Sequence, residues 1–217
     1  MPELYAHPFA AFCWKVLIAL YERGVAFDYR HVGPDYPENQ ARLEALWPIA
    51  QFPVLADAGR TLIETCVIIE HLDLHHGSAP PMVQADRVAA LDARMLDSII
   101  DDYVAQPMQR IVADFMRDAA RRDAQTVAQA KALLDKSYDW LEARMAKRQW
   151  AAGDFGIADC AAAPALFYAD WVHPIGKARV CLSAYRARLL GRPSVARVVD
   201  EARPYRKLFP PGAPDRD

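Results

Sequence analysis

Hydrophobic and polar positions change their spacing several times along residues 1–77. Alternation of apolar and polar residues predicts a strand, and apolar repeats at helical intervals predict a helix. The helical spacing stops at Gly24 and at Gly77, and glycine is common just after a helix. The pattern predicts a strand over 3–6, a helix over 12–23, a strand over 26–32, a helix over 38–46, strands over 53–56 and 60–63, and a helix over 64–76.

The spacing changes character after the segment HHGSAPP, which is rich in turn-forming residues. Pro107 lies within the first long helical segment and should kink or divide it. Strands that come first and helices that follow predict two domains, an α/β domain over 1–77 and an all-α domain over 85–217. Helices are predicted over 84–118, 124–147, 157–171, 179–191 and 194–203, and the Pro-rich tail after them is predicted to be irregular.

Composition excludes several classes of protein. The 217 residues are 53% hydrophobic and carry a formal charge of -2, so neither nucleic acid nor an anionic membrane is an expected partner. The chain has no apolar run long enough for a membrane span, and its first residues have no basic stretch typical of a signal peptide. The four cysteines form no CxxC pair, which fits a reducing compartment. We therefore expect a cytoplasmic protein.

Charge is distributed unevenly between the two predicted domains. Residues 1–77 contain five Lys or Arg and ten Asp or Glu, whereas the rest of the chain contains twenty-one and eighteen. The first domain is therefore acidic and the second mildly basic. This shift supports the division into two units.

A proline begins the predicted strand over 53–56, in the segment QFPVL. Proline cannot donate to a strand ladder, so Pro53 is compatible with a trans bond in an edge strand. Alternatively, a cis Phe52–Pro53 bond would turn the chain and leave the main-chain groups of Phe52 free to face a ligand. The pattern leaves both interpretations open.

The helix over 64–76 begins at Glu64 and Thr65, directly after a strand. Free N–H groups and a hydroxyl at a helix N-terminus can bind a carboxylate. Thr65 could equally cap its own helix, because threonine is a favoured N-cap residue. Both interpretations remain open for this pair.

Taken together, these features resemble the cytosolic glutathione transferase superfamily over nearly the whole chain. The resemblance implies a thioredoxin-like N-terminal domain, an all-α helical bundle as the C-terminal domain, and a homodimer. In GDFGIAD, Gly156 replaces the usual hydroxyl residue at a helix start while Asp159 remains to accept from its N–H, which is a folding element. The resemblance rests on LYAHPF, KVLIAL, QFPVL, the IET helix start, the helical second half and GDFGIADCAAAPAL.

The same resemblance implies a glutathione-binding site, with glutathione as co-substrate. The Phe52–Pro53 bond would be cis, and the main chain of Phe52 would pair with the cysteinyl part of glutathione. Glu64 and Thr65 would hold its γ-glutamyl amino and carboxylate groups. Gln51 would lie near the glycyl end.

Family members hold the glutathione sulfur as a thiolate, usually with a Ser, Tyr or Cys before the first helix. Here Ala10 and Ala11 occupy the best-matching positions and have no side-chain donor. A neutral hydroxyl would contribute about 1 kcal/mol, and the helix dipole about 0.3–1 kcal/mol. We therefore expect weakened or altered activation, with backbone N–H groups of Ala11, Phe12 and Cys13 facing the sulfur.

Three side chains near the first helix are alternatives to the missing hydroxyl. Cys13 at a helix start could be a reactive thiol, but it shares an apolar face with Val16 and Leu20 and should point inward. Tyr5 could donate its phenol or pack in the core. His7 lies in the loop and could approach a thiol, although a lone histidine seldom marks a site.

The predicted activity is that of a glutathione S-transferase acting in detoxification, which transfers the thiolate to a small hydrophobic electrophile. A glutathione-dependent isomerase or dehalogenase would share the site. A thiol–disulfide reductase would depend on Cys13. A non-catalytic glutathione-binding protein is favoured by Ala10 and Ala11.

Other signals received weaker interpretations. His71 and His75 have the spacing of two metal ligands, but no third ligand is visible, so we expect no metal. Asp101 or Asp102 would, by the resemblance, reach the glutathione amine of the neighbouring subunit. An apolar pocket could be walled by Tyr103, Met108, Phe115, Trp171, Tyr205 and Phe209, although most of these fit a core equally well.

Overall fold

A computed structural model describes residues 1–76 and 79–217. The N-terminal half has the predicted order of elements, with ends that differ by one or two residues. The predicted helix end at Gly77 lies outside the described residues. The elements are β1 (Glu3–Ala6), α1 (Ala11–Glu22), β2 (Asp28–His31), α2 (Pro37–Leu46), β3 (Val54–Asp57), β4 (Arg60–Leu62) and α3 (Thr65–His75).

The four strands form one sheet in the order β2-β1-β3-β4. β1 is parallel to β2 and antiparallel to β3, and β3 is antiparallel to β4. Because β3 is paired on both sides, the edge-strand interpretation of Pro53 is wrong. The Phe52–Pro53 peptide bond is cis, and Pro53 lies just before the ladder begins.

Helix α1 is buried along most of its length, from Cys13 to Leu20. It packs against both α3 and the later helix Ile157–Val172. The Trp14 indole donates to the Pro8 carbonyl oxygen at 2.7 Å, and its ring lies 4.9 Å from the ring of Phe167. This packing fixes the loop that precedes α1.

The C-terminal half is helical, as predicted, but the segment predicted over 84–118 is divided. A π-helical segment, Asp101–Ala105, separates α4 (Arg87–Ile100) from α5 (Gln106–Phe115). Pro107 has no N–H for the carbonyl of Tyr103 four residues earlier. The Ser137 hydroxyl donates to that carbonyl instead, at 2.8 Å. The helices are α4 (Arg87–Ile100), α5 (Gln106–Phe115), α6 (Ala124–Met145), α7 (Ile157–Val172), α8 (Val180–Leu190) and α9 (Pro193–Ala202).

The start of α7 confirms the interpretation of GDFGIAD as a folding element. Fully buried Asp159 accepts from the Gly156 N–H at 3.0 Å and from the Tyr185 hydroxyl at 2.6 Å. A Cβ on Gly156 would lie 2.4 Å from the carbonyl oxygen of Met82. Glycine is therefore required here by a close backbone approach.

The C-terminal tail is more ordered than predicted. Arg203–Leu208 forms a 3-10 helix, and Arg203 and Arg206 pair with Asp217. Arg216 pairs with Asp170 on α7. These ion pairs tie the tail back to the helical domain. Among the described residues, no helix combines the length and apolar character that a membrane crossing needs.

Candidate functional site

A polar cavity of about 190 Å³ opens where the two halves of the chain meet. It lies between the segment before β3, the start of α3 and the π-helical segment. All five residues that the sequence predicts for ligand binding line this one cavity. They are Gln51, Phe52, Pro53, Glu64 and Thr65. Its lining consists of Phe12, Trp47, Gln51, Phe52, Pro53, Ile63, Glu64, Thr65, Asp101 and Gln106.

The start of α3 presents unused backbone donors to this cavity. Glu64 is the N-cap residue and has a left-handed φ of 66°, and no side chain caps the helix. Thr65 is the first helical residue and is only 8% exposed. The interpretation of Thr65 as its own helix cap is therefore wrong. Free N–H groups and the positive end of the helix dipole favour an anion at this point.

Phe52 connects the polar cavity to a second, apolar one, because it lines both. Its side chain is 38% exposed. The second cavity has a volume of about 670 Å³, and none of its lining residues is Lys, Arg, Asp or Glu. That lining consists of His7, Phe9, Ala11, Val32, Gly33, Pro34, Phe52, Met108, Gln109, Val112, Ala113, Met116, Tyr168, Leu208, Phe209 and Pro210.

The start of α1 borders both cavities. Ala11 lines the apolar cavity and Phe12 lines the polar one. The Cys13 N–H donates to the Ala10 carbonyl at 3.0 Å, so the expectation that it faces a bound sulfur is wrong. Ala10 provides no side-chain cap. The N–H groups of Ala11 and Phe12 have no acceptor within the described part of the chain.

The Cys13 thiol belongs to the core. It is fully buried, and burial raises its pKa to about 12. Its sulfur accepts from the His7 N–H at 3.4 Å. A thiol with this pKa is protonated at neutral pH and is not nucleophilic. The Cys13 thiol therefore does not fit the catalytic role that the sequence suggested. Only the backbone at the start of α1 remains a candidate for thiol activation.

Tyr5 and His7, the other two candidates, differ in position. Tyr5 is 3% exposed, lines neither cavity, and donates its hydroxyl to Glu3 at 3.2 Å, so it is a core residue. His7 lines the apolar cavity, and its Nδ1 accepts from the Phe9 N–H at 3.1 Å. Burial holds the pKa of His7 below its ordinary value, so the imidazole is neutral at pH 7.

A buried ion-pair group lies behind the polar cavity. Lys15 of α1 is 1% exposed, and its Nζ lies 2.7 Å from both Asp97 Oδ1 and Asp101 Oδ2. Burial raises the pKa of Asp97 to about 6 and also raises that of Asp101, although Lys15 opposes both shifts. Asp101 lines the polar cavity of its own chain. Asp102 is exposed to solvent and does not line this cavity.

Several residues that line the polar cavity were not predicted from the sequence. Trp47, Ile63 and Gln106 line the polar cavity, and no pattern around them indicated a site. Of the predicted apolar pocket walls, Met108 and Phe209 line the second cavity. The remaining members of that set line neither cavity, and they are Tyr103, Phe115, Trp171 and Tyr205.

Two family models match the chain. Residues 4–80 match the N-terminal domain of glutathione S-transferase, and residues 124–200 match its C-terminal domain. A solved glutathione S-transferase from Methylobacterium radiotolerans, in complex with glutathione sulfonate, is 26% identical with a TM-score of 0.78. That match covers 91% of this chain and 94% of the other.

Curated relatives are also similar in sequence. Glutathione S-transferase F10 of Arabidopsis thaliana is 27% identical over 185 residues, which is 82% of this chain and 84% of the relative. A probable maleylacetoacetate isomerase of Caenorhabditis elegans is 26% identical over 110 residues. That match spans about half of each chain, 51% of this one and 50% of the isomerase. The fold, the two domain matches and these relatives together show that the chain belongs to the glutathione S-transferase superfamily.

Proposed function

We propose that this chain binds glutathione in the polar cavity and transfers its thiolate to a small hydrophobic electrophile in the apolar cavity. The observation that carries the proposal is the junction of the two cavities at Phe52, beside the start of α1. A ligand that fills the polar cavity would have its middle at this junction. The complex of the Methylobacterium radiotolerans relative with glutathione sulfonate supports the choice of ligand.

The proposed glutathione site is formed mainly by the main chain. Phe52 next to the cis bond would pair its N–H and C=O with the cysteinyl part, and Thr65 with the free N–H groups of α3 would hold the γ-glutamyl carboxylate. The Glu64 carboxylate would accept from the ammonium group. Gln51, which is exposed on the cavity wall, would lie toward the glycyl end.

Thiol activation would come from backbone donors at the start of α1. Among the described residues, the N–H groups of Ala11 and Phe12 have no acceptor. Ala11 lines the apolar cavity and Phe12 the polar one. A hydrogen bond to a charged group contributes about 1.5–3 kcal/mol, and the helix dipole about 0.3–1 kcal/mol. These donors would retain part of the thiol activation without a hydroxyl, so we infer a slower transferase rather than an inactive one.

The apolar cavity favours an uncharged electrophile, because none of its lining side chains could neutralise a carboxylate. An isomerase acting through the same glutathione site is the second candidate, and the similarity to the Caenorhabditis elegans isomerase supports it. The burial of Cys13 argues against a thiol–disulfide reductase. Dehalogenation would use the same two cavities.

The wider setting of the protein belongs to the same proposal. We infer domains over 1–77 and 85–217, a homodimer that acts in detoxification, and a cytoplasmic location. All four cysteines are free thiols, which supports a reducing compartment. The exposed apolar side chains of Leu74 on α3 and of Val88 and Leu91 on α4 support the dimer.

Calorimetric titration with glutathione tests binding. Thr65→Val removes the hydroxyl and keeps the side-chain shape, so the dissociation constant should rise about tenfold or more, since a hydrogen bond to a charged group is worth about 1.5–3 kcal/mol. Thr65→Ser retains the hydroxyl and serves as the matched control, with near wild-type affinity expected.

Ultraviolet absorbance of the bound thiolate, followed against pH in the same samples, tests activation separately. We expect the thiol pKa of bound glutathione to lie below the free value of about 8.5. Absence of binding heat at millimolar glutathione would refute the glutathione site. Binding with an unshifted thiol pKa would refute the transferase and favour the non-catalytic alternative.

A further inference from the structure

Three side chains outside both cavities converge near the end of α3. The Nε2 atoms of His71 and His76 lie 2.8 and 2.6 Å from the same oxygen of Asp57, Oδ2. The three ligand atoms all lie within 4.8 Å of one another. Two imidazole nitrogens and one carboxylate oxygen form a donor set that suits zinc and neighbouring divalent transition metals.

The cluster corrects the sequence-based expectation in two respects. Asp57, at the end of β3, supplies the third ligand that the spacing did not reveal. His76 replaces His75 as the second imidazole, because the chain is extended at His76 (φ -132°, ψ 133°) and turns its ring back toward Asp57. His75 itself is exposed to solvent.

Burial makes the charge balance of this cluster unusual. The side chains of Asp57 and His71 are 9% and 6% exposed. Within the described residues, the only side-chain partners of the Asp57 carboxylate are the two imidazoles. Neutral imidazoles leave this buried carboxylate without a permanent positive partner, and a divalent cation would supply one.

The backbone around His76 is held in place before any ion arrives. Buried Arg23 donates to the His76 carbonyl at 2.5 Å and to the Pro80 carbonyl at 2.9 Å. Arg23 also pairs with Asp73 at 3.0 Å, and Asp73 accepts from the backbone N–H groups of Met82 and Val83. The His76 ring therefore stands on a fixed segment.

We propose that Asp57, His71 and His76 bind one Zn²⁺ ion that ties the β3–β4 hairpin to the end of α3. Metal–ligand bonds of about 2.0–2.2 Å require ligand atoms about 3.4 Å apart in a tetrahedron. The separations of 2.8 and 2.6 Å between Asp57 and the two histidines would therefore open by less than about 1 Å. Water would complete the coordination, since His76 is 23% exposed. The site is separate from the proposed glutathione site, because His71 lies six residues beyond Thr65, about 9 Å along the helix.

The test is calorimetric titration of the full, chelator-treated chain with Zn²⁺, in the absence of glutathione, whose thiol also binds zinc. We expect one Zn²⁺ per chain. Asp57→Asn and His76→Gln should each weaken the affinity by more than about tenfold, because loss of even an outer partner of a metal ligand costs 10–100-fold. His75→Gln is the matched control, a neighbouring exposed imidazole, and should bind as the wild type does.

Co²⁺ titration of the wild-type chain gives a readout that needs no variant to fold. Imidazole and carboxylate ligands in a tetrahedral site should produce visible cobalt absorption that Zn²⁺ then abolishes. Absence of this absorption, or equal Zn²⁺ affinity in wild type and His76→Gln, would overturn the proposal. A loss in His75→Gln as large as that in His76→Gln would overturn it as well.

Discussion

At the scale of single residues, main-chain groups form much of the proposed glutathione site. The free N–H groups of Ala11 and Phe12 and the uncapped start of α3 at Thr65 all belong to the main chain. Such donors are independent of residue identity, provided that the local conformation is kept. This explains how Ala10 and Ala11 can stand at a helix start where the family resemblance implied a hydroxyl.

Restoring a hydroxyl at the start of α1 should strengthen activation. In Ala11→Ser, and likewise in Ala10→Ser, a side-chain donor worth about 1 kcal/mol would lower the thiol pKa of bound glutathione by about 0.7 units. Thiolate absorbance as a function of pH measures the shift. Ala124→Ser is the matched control, since Ala124 is the first residue of α6 and lines neither cavity. An unchanged pKa in both serine variants would show that the sulfur lies elsewhere.

At the scale of elements, the π-helical segment joins the site to the buried charges. Asp101 begins the segment, lines the polar cavity and pairs with Lys15 of α1. Asp97 pairs with the same ammonium group from the last turn of α4. One cation and two carboxylates thus join α1 to the end of α4 and to the π-helical segment beside the polar cavity.

Removing Lys15 should therefore destabilise the fold strongly. Lys15→Met leaves buried Asp97 and half-buried Asp101 without their cation, and breaking a buried pair typically costs about 3–5 kcal/mol. Urea unfolding near pH 7 measures the loss. Exposed Lys136→Met should change the free energy of unfolding by less than about 0.5 kcal/mol. A comparable loss in both variants would contradict the role of the buried group.

The pH dependence follows from the direction of the Asp97 shift. Its pKa in the folded chain, about 6, lies above the ordinary 3.8, so the folded state binds the extra proton between these values. The contribution of Asp97 to the free energy of unfolding therefore decreases as pH rises from 3.8 to 6. Asp97→Asn should remove this decrease, as urea unfolding at several pH values would show. An unchanged slope in the variant would contradict the assignment.

At the scale of the whole molecule, α3 and α4 expose an apolar face. Leu91 is 67% exposed and Val88 is 77% exposed, three residues earlier on α4. Leu74 of α3 is 78% exposed. Exposed apolar surface is a common feature of protein–protein interfaces. Arg94 and Glu70 join the two helices by a bidentate ion pair at 2.6 and 2.7 Å, which keeps the face rigid.

Placing a charge on this face should prevent dimer formation. Leu91→Arg would bury an unpaired guanidinium at the proposed interface, so light scattering should report a monomer at concentrations where the wild type is a dimer. Val180→Arg is the matched control, because Val180 is also 67% exposed but lies on α8. A dimeric Leu91→Arg variant, or a monomeric wild type, would contradict the proposed interface.

The sequence by itself determined the features that depend on residues close together in the chain. Apolar spacing predicts the order of strands and helices, Pro107 predicts the division of the long helix, and the pattern around Cys13 predicts its burial. Glu64, Thr65 and Pro53 could be singled out because their residue types carry specific backbone consequences.

Only the tertiary structure decided which distant residues meet. Gln106 joins the polar cavity and Phe209 the apolar one because helix packing brings them there. Asp57 contacts His71 because the β3–β4 hairpin packs beside α3. His76, and not His75, contacts Asp57 because α3 ends at His75 and the backbone is extended at His76. Such contacts depend on packing between segments far apart in the chain, and no local periodicity encodes them.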